Sequence, residues 1–74
     1  MKTFVSFGQD HVHEIDGKRF DARCIAVIHH NESHEGRQIA HDLFGVKFCT
    51  TYEEGYFTPE KMARWYSRGF IDAN

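Results

Sequence analysis

Six histidines occur among 74 residues, and imidazole is the side chain that most readily ligates a metal, contacts an anion or changes charge near neutrality. They fall into three pairs. His11 and His13 alternate as strand residues do, which predicts two rings on one face about 7 Å apart, suited to a shared metal or one anion. His29 and His30 are adjacent. His34 and His41 stand about two helical turns apart with Arg37 between them, and at 100° per residue these three donors form one stripe.

The stripe suits a phosphate or a carboxylate. Its helix would follow a strand, so free backbone N–H groups and the helix dipole add to the attraction, and the carboxyl edge of parallel strands is the usual ligand position in an open sheet. Glu32 and Glu35 act against this, because their charge already satisfies the dipole. A solvated face of mixed charge fits the stripe equally well. For His11 and His13, a zinc site requires three or four protein ligands. The others would come from His29, His30, His41, Cys24 or Cys49, and no spacing selects among them. Two solvated histidines on an edge hairpin fit as well, so no metal is assigned.

Aromatic residues supply stacking partners. Tyr52, Tyr56, Phe57, Trp65 and Tyr66 cluster in the last third, and aromatic faces beside Arg or His are a common means of holding a nucleotide. Met62, Trp65 and Tyr66 have helical spacing and are expected to pack in the core, since so small a chain must bury its largest side chains. The candidate ligand-binding residues are therefore Gln9, His11, His13, His34, Arg37, His41, Tyr52 and Tyr56, with Gln9 reading a polar edge. No catalytic residue and no cofactor is assigned. The chain has no Gly-x-Ser-x-Gly, phosphate loop or His-Glu-x-x-His, and apolar neighbours would raise the pKa of Cys24 and Cys49 rather than activate them.

The elements that must position these groups are short. Residues 2–7 read as a first strand ending at Gly8. Asp16-Gly17 is a two-residue hairpin turn, and a tight turn sets His13 opposite Phe20. Cys24 to Ile28 is continuously apolar and reads as a central strand covered on both faces. Asn31 and Ser33 are N-cap types ahead of a helix over about 33–44, with Ile39, Ala40, Leu43 and Phe44 on one face and Gly45 at its end. Val46 to Tyr52 resumes strand character, and Glu53-Glu54-Gly55 makes a polar loop. Thr58-Pro59-Glu60 opens a short helix that Gly69 closes, and Phe70-Ile71 forms a last strand or a docked tail. The result is a small single α+β domain over residues 1–74, with a β-hairpin, one β-α-β unit and a short C-terminal helix. The crossover is long enough for parallel pairing without requiring it.

Hydrophobic residues make up 41% and aromatics 15%, enough for a core in a chain near the lower size limit, where oligomerisation is the simplest added source of stability. A formal net charge of −2 provides no basic stripe for long DNA or RNA. There is no basic-then-apolar leader and no apolar stretch near the ~20 residues that span a bilayer, so no membrane partner is expected and the cytoplasm is the expected location.

Read end to end, Ser6-Phe7-Gly8-Gln9 with His11 and His13, Gly17-Lys18 with Phe20-Asp21, Ala26-Val27-Ile28, Leu43-Phe44-Gly45 with Lys47-Phe48-Cys49, and Arg68-Gly69-Phe70-Ile71 resemble a group of small bacteriophage proteins with no established activity. The resemblance implies action inside a bacterial cell. By analogy with compact phage sponges, the expected function is non-enzymatic immune evasion by a homo-oligomer. It would sequester a phosphate-containing nucleotide signal, a cyclic nucleotide or an ADP-ribose derivative, in the host cytosol. The alternatives are a protein-binding inhibitor of a host enzyme, working through Glu53, Glu54 and the aromatic C-terminal region, and a histidine-based metal-binding protein.

Overall fold

The computed structural model describes residues 1–9, 11–45, 48 and 50–74. Its elements run β1 (Lys2–Ser6), β2 (His13–Ile15), β3 (Lys18–Phe20), β4 (Cys24–His29), α1 (Glu35–Phe44), β5 (Thr50–Glu53), α2 (Pro59–Trp65) and β6 (Gly69–Asp72), an α+β fold. β1 is an inner strand of a four-stranded sheet of order β5-β1-β4-β6. It pairs antiparallel with β4, Phe4 opposite Val27, and with β5, Phe4 opposite Tyr52. β4 and β6 are parallel, with Ala26 opposite Ile71.

Strands β4, β5 and β6 therefore share one direction, and β1 opposes them. The chain crosses from β4 to β5 through α1 and returns from β5 to β6 through α2. Two crossovers of the same hand in opposite directions must lie on opposite faces of a sheet. The packing agrees: Val5, Phe7, Cys24, Ala26, Ile28, Ala40 and Phe44 form one cluster and Phe4, Ile25, Val27 and Met62 the other. The expected β-α-β unit is thus present in split form, β1 lying between its two strands. β4 is buried from Cys24 to Ile28, as its unbroken apolar run predicts.

The hairpin β2–β3 forms a separate two-stranded sheet with His13 opposite Phe20. Asp16 (φ 51°) and Gly17 (φ 78°) both take the left-handed conformation that a two-residue hairpin turn requires. Phe20 is fully buried and Ile15 packs on the α1-side cluster, so the hairpin closes one end of that core. There Phe44 meets Phe7 edge-on at 4.9 Å and Phe20 at 5.4 Å, geometries that aromatic pairs favour.

Helix α1 begins later than its polar prelude predicts. His34, with φ −81° and ψ −12°, occupies the N-cap without a side-chain cap bond, so neither Asn31 nor Ser33 caps the helix. The first turn is fastened instead by Glu35, whose carboxylate accepts from the Glu32 N–H (2.7 Å) while its own N–H donates to the Glu32 carbonyl (3.1 Å). Gly36 is buried against the sheet beside Thr3 and His30. Helix α2 starts as expected: Thr58 Oγ1 accepts from the Lys61 N–H at 3.2 Å, and Pro59 follows the cap. It ends at Trp65, before Gly69, which instead begins β6. Of the expected strand from Val46 to Tyr52, β5 holds Thr50 to Tyr52, while Val46, Lys47 and Cys49 lie outside the described residues.

Candidate functional site

Three arginines converge where the end of β1, the β3–β4 turn and the α2–β6 turn meet. Arg19, Arg23 and Arg68 line a hollow of about 570 Å³ together with Gln9, Val12, Asp21 and Ala22. Asp21 organises them. Its Oδ2 accepts from Arg19 Nε at 3.3 Å and lies 3.2 Å from Arg68 Nη1, and its Oδ1 accepts from the Arg23 N–H at 2.9 Å. Burial would push the Asp21 carboxyl up, but the Arg23 N–H and the Arg19 and Arg68 guanidiniums outweigh it and hold the pKa below its ordinary value. Arg68 is fixed further by two bonds: Nη1 donates to the Arg19 carbonyl and its backbone N–H to the Arg23 carbonyl, each at 2.9 Å. The Arg23 guanidinium is exposed and makes no hydrogen bond or ion pair among the described residues.

A second hollow of about 400 Å³ adjoins the first, sharing Gln9, Ala22 and Arg23, and adds Ser6, Gly8, Tyr52, Trp65 and Tyr66. Trp65 corrects the sequence reading, for it is 65% exposed rather than packed in the core. Met62 faces the sheet one turn earlier and fills the α2-side cluster, while Trp65 falls to the flank of this seven-residue helix, beside Arg64 (5.5 Å from ring centre to guanidinium). The two hollows form one bipartite groove, with guanidiniums in one lobe and aromatic faces in the other. Each volume falls within the range of small-molecule sites.

Of the residues singled out by sequence, Gln9 and Tyr52 line this groove. Tyr56 stacks on Tyr52 at 4.5 Å and 22° and carries Lys61 over its ring. His11 and His13 do not form a strand pair, because β2 begins only at His13. The His13 ring lies against Phe44 (5.2 Å) and Phe7 (6.0 Å), at the edge of the core. His34, Arg37 and His41 are exposed along α1, with His41 against Phe48 (5.1 Å), and none of them lines either lobe. Among the described residues no group of three or more His, Cys, Asp or Glu side chains could hold a metal ion. Cys24 is buried, which pushes its thiol pKa up.

His29 and His30 are engaged elsewhere. His29 Nε2 meets Asp72 Oδ1 at 2.9 Å, joining β4 to β6. His30 Nδ1 lies 2.7 Å from the Glu32 carbonyl oxygen, which can only accept, so the proton resides on Nδ1. In the neutral ring Nε2 then accepts from the Thr3 hydroxyl at 2.8 Å. This pair borders a third hollow, of about 470 Å³, at the carboxyl ends of β4 and β5, lined also by Lys2, Ser33, Glu53 and Glu54. That is the sheet edge where the sequence leads one to expect an anion. There Glu53 and Glu54 offset Lys2 and the Met1 amino group, which leaves no net positive charge among the described lining residues, and the arginines gather at the other end of the sheet.

Sequence reasoning passed over Arg19, Arg23 and Arg68, and assigned Trp65 and Tyr66 to the core. The alternation Arg19-x-Asp21-x-Arg23 is visible in the chain as one acid between two bases. Arg68 joins them only through the return of β6 beside β4. No helix among the described residues is long and apolar enough to cross a membrane. No protein-family model, curated protein or solved structure matches the chain.

Proposed function

We propose that this chain is a non-enzymatic binding protein that captures a phosphate-bearing nucleotide in the bipartite groove. The observation that carries the reading is the contact of an arginine lobe with an aromatic lobe through the shared residues Gln9 and Arg23. Guanidiniums make paired hydrogen bonds to phosphate oxygens, and a base stacks on Tyr, Trp or an arginine plane. Gln9, at the junction, offers both a donor and an acceptor to a base edge or a ribose. The phosphate ligands are thus Arg23, Arg19 and Arg68 rather than His34, Arg37 and His41. Tyr52 keeps the stacking role, now with Trp65 and Tyr66.

The likeness to small phage proteins suggests the use of such capture: withdrawal of a host defence signal in the cytosol of an infected bacterium. Calorimetry with a panel of nucleoside phosphates, cyclic nucleotides and ADP-ribose derivatives tests the binding. Micromolar affinity for at least one member, lost tenfold or more in both Arg23→Gln and Trp65→Ala, is the expected result. No member binding more tightly than millimolar refutes the proposal.

A further inference from the structure

The distribution of charge along the groove restricts the class of nucleotide, on the premise that the groove binds one. The charged lobe holds Arg19, Arg23, Arg68 and Asp21, three positive groups and one negative. Among the described residues the only charged one lining the aromatic lobe is Arg23, at the shared boundary. Charge thus lies at one end and stacking surface at the other.

We infer that the ligand is a single-base nucleotide whose negative charges form one compact dianion, a terminal phosphate or a diphosphate, beyond the base. Among the described residues, three guanidiniums against one carboxylate leave an excess of two positive charges, which a phosphate monoester above its second pKa of about 6 matches, as does a diphosphate bridge. A cyclic mononucleotide carries a single charge folded back against its own ribose. A cyclic dinucleotide sets two separated single charges between two bases and needs aromatic surface on both sides of a cationic centre, whereas here only one side is aromatic. Of the two signal classes suggested by analogy with phage sponges, the groove fits ADP-ribose derivatives and not cyclic nucleotides.

Arg23 is the residue to perturb. Among the described residues its guanidinium has no hydrogen-bond or ion-pair partner, while its backbone N–H and carbonyl hold Asp21 and Arg68, and a glutamine preserves those bonds. The experiment is calorimetric titration of the whole chain with AMP, ADP, ADP-ribose, 3′,5′-cyclic AMP and cyclic di-AMP, with the guanine, cytosine and uracil monophosphates in parallel to cover base preference. The expected result is that AMP, ADP or ADP-ribose, or a monophosphate of another base, binds at least tenfold more tightly than either cyclic compound. In Arg23→Gln that preference falls below about threefold. In Trp65→Ala all affinities drop together and the preference persists. Equal or tighter binding of a cyclic compound, or an unchanged preference in Arg23→Gln, overturns the dianion inference while leaving the groove as a nucleotide site. Failure of every compound to bind overturns both.

Discussion

Replacing Gly36 with alanine opposes helix propensity directly to packing. In an exposed helix interior, glycine to alanine stabilises by about 0.8–1.0 kcal/mol. Here a Cβ at position 36 would overlap Thr3 Oγ1, fall 2.7 Å from Thr3 Cβ and reach within 2.8 Å of His30 Nε2. Carbon atoms pack best at about 3.5–4.0 Å, so α1 has to withdraw from the sheet by about 1 Å. Rotating Thr3 relieves the hydroxyl overlap but leaves its Cβ, which is fixed to the β1 backbone. The withdrawal loosens Ala40 and Phe44 on the same helical face and breaks the Thr3–His30 hydrogen bond. Overpacking of this kind costs about 1–3 kcal/mol. Less the propensity gain, Gly36→Ala is expected to destabilise by up to about 2 kcal/mol, and each kcal/mol corresponds to a fall in Tm of about 4–8 °C for a domain this small. Urea unfolding followed by far-UV circular dichroism measures it. In a Thr3→Gly background both clashing atoms of Thr3 are gone and only the tip of the His30 ring has to give way, so the same substitution costs clearly less, a coupling that a double-mutant cycle reads directly. A single variant more stable than the parent chain, or one equally destabilised in both backgrounds, would refute the packing argument.

The Asp21 network predicts a pH signature. Because the folded pKa is held below its ordinary value, the carboxylate contributes its full stability above about pH 4 and loses it as the pH falls through the lowered pKa. Asp21→Asn should therefore lower the urea midpoint at pH 7 and approach the parent near pH 2–3. The loss should be modest, since exposed ion pairs are worth roughly 0.2–1 kcal/mol each; a deficit constant with pH would contradict this origin. Phe44→Ala removes the ring shared by Phe7, Phe20 and His13 and is expected to cost about 3–5 kcal/mol in the same assay; less than 1 kcal/mol would mean that the cluster is not central. In a Cys49→Ser background, Cys24 should resist a thiol reagent at pH 7.5 until denaturant is added, its thiol being buried and raised in pKa. Prompt labelling of the native chain would show that the site opens.

Local signals predicted most of the elements. Asp16-Gly17 placed the hairpin and its register, the apolar run from Cys24 to Ile28 placed a doubly covered strand, and Thr58-Pro59 placed the start of α2. What the chain does not announce is pairing at a distance. β5 joins β1 rather than β4, so the crossover is split, and β6 returns beside β4 to bring Arg68 against Asp21. The histidines drew attention because imidazole is chemically versatile, yet His13, His29 and His30 are engaged with aromatic rings, Asp72, Thr3 and the Glu32 carbonyl. Arginine pairs and a flanking tryptophan leave no periodic mark, and Trp65 shares the helical spacing of the buried Met62.

The groove draws on four separate parts of the chain, represented by Gln9, Arg23, Tyr52 and Trp65. No fragment contains it, and the unfolded chain has nothing equivalent to offer a ligand. Occupancy and folding are consequently linked equilibria. A ligand present at a hundred times its Kd deepens the native well by about 2.7 kcal/mol, a large share of the stability of a domain this size. If the groove binds as proposed, the melting temperature of the unmodified protein is itself a detector, rising in any metabolite fraction that holds a ligand.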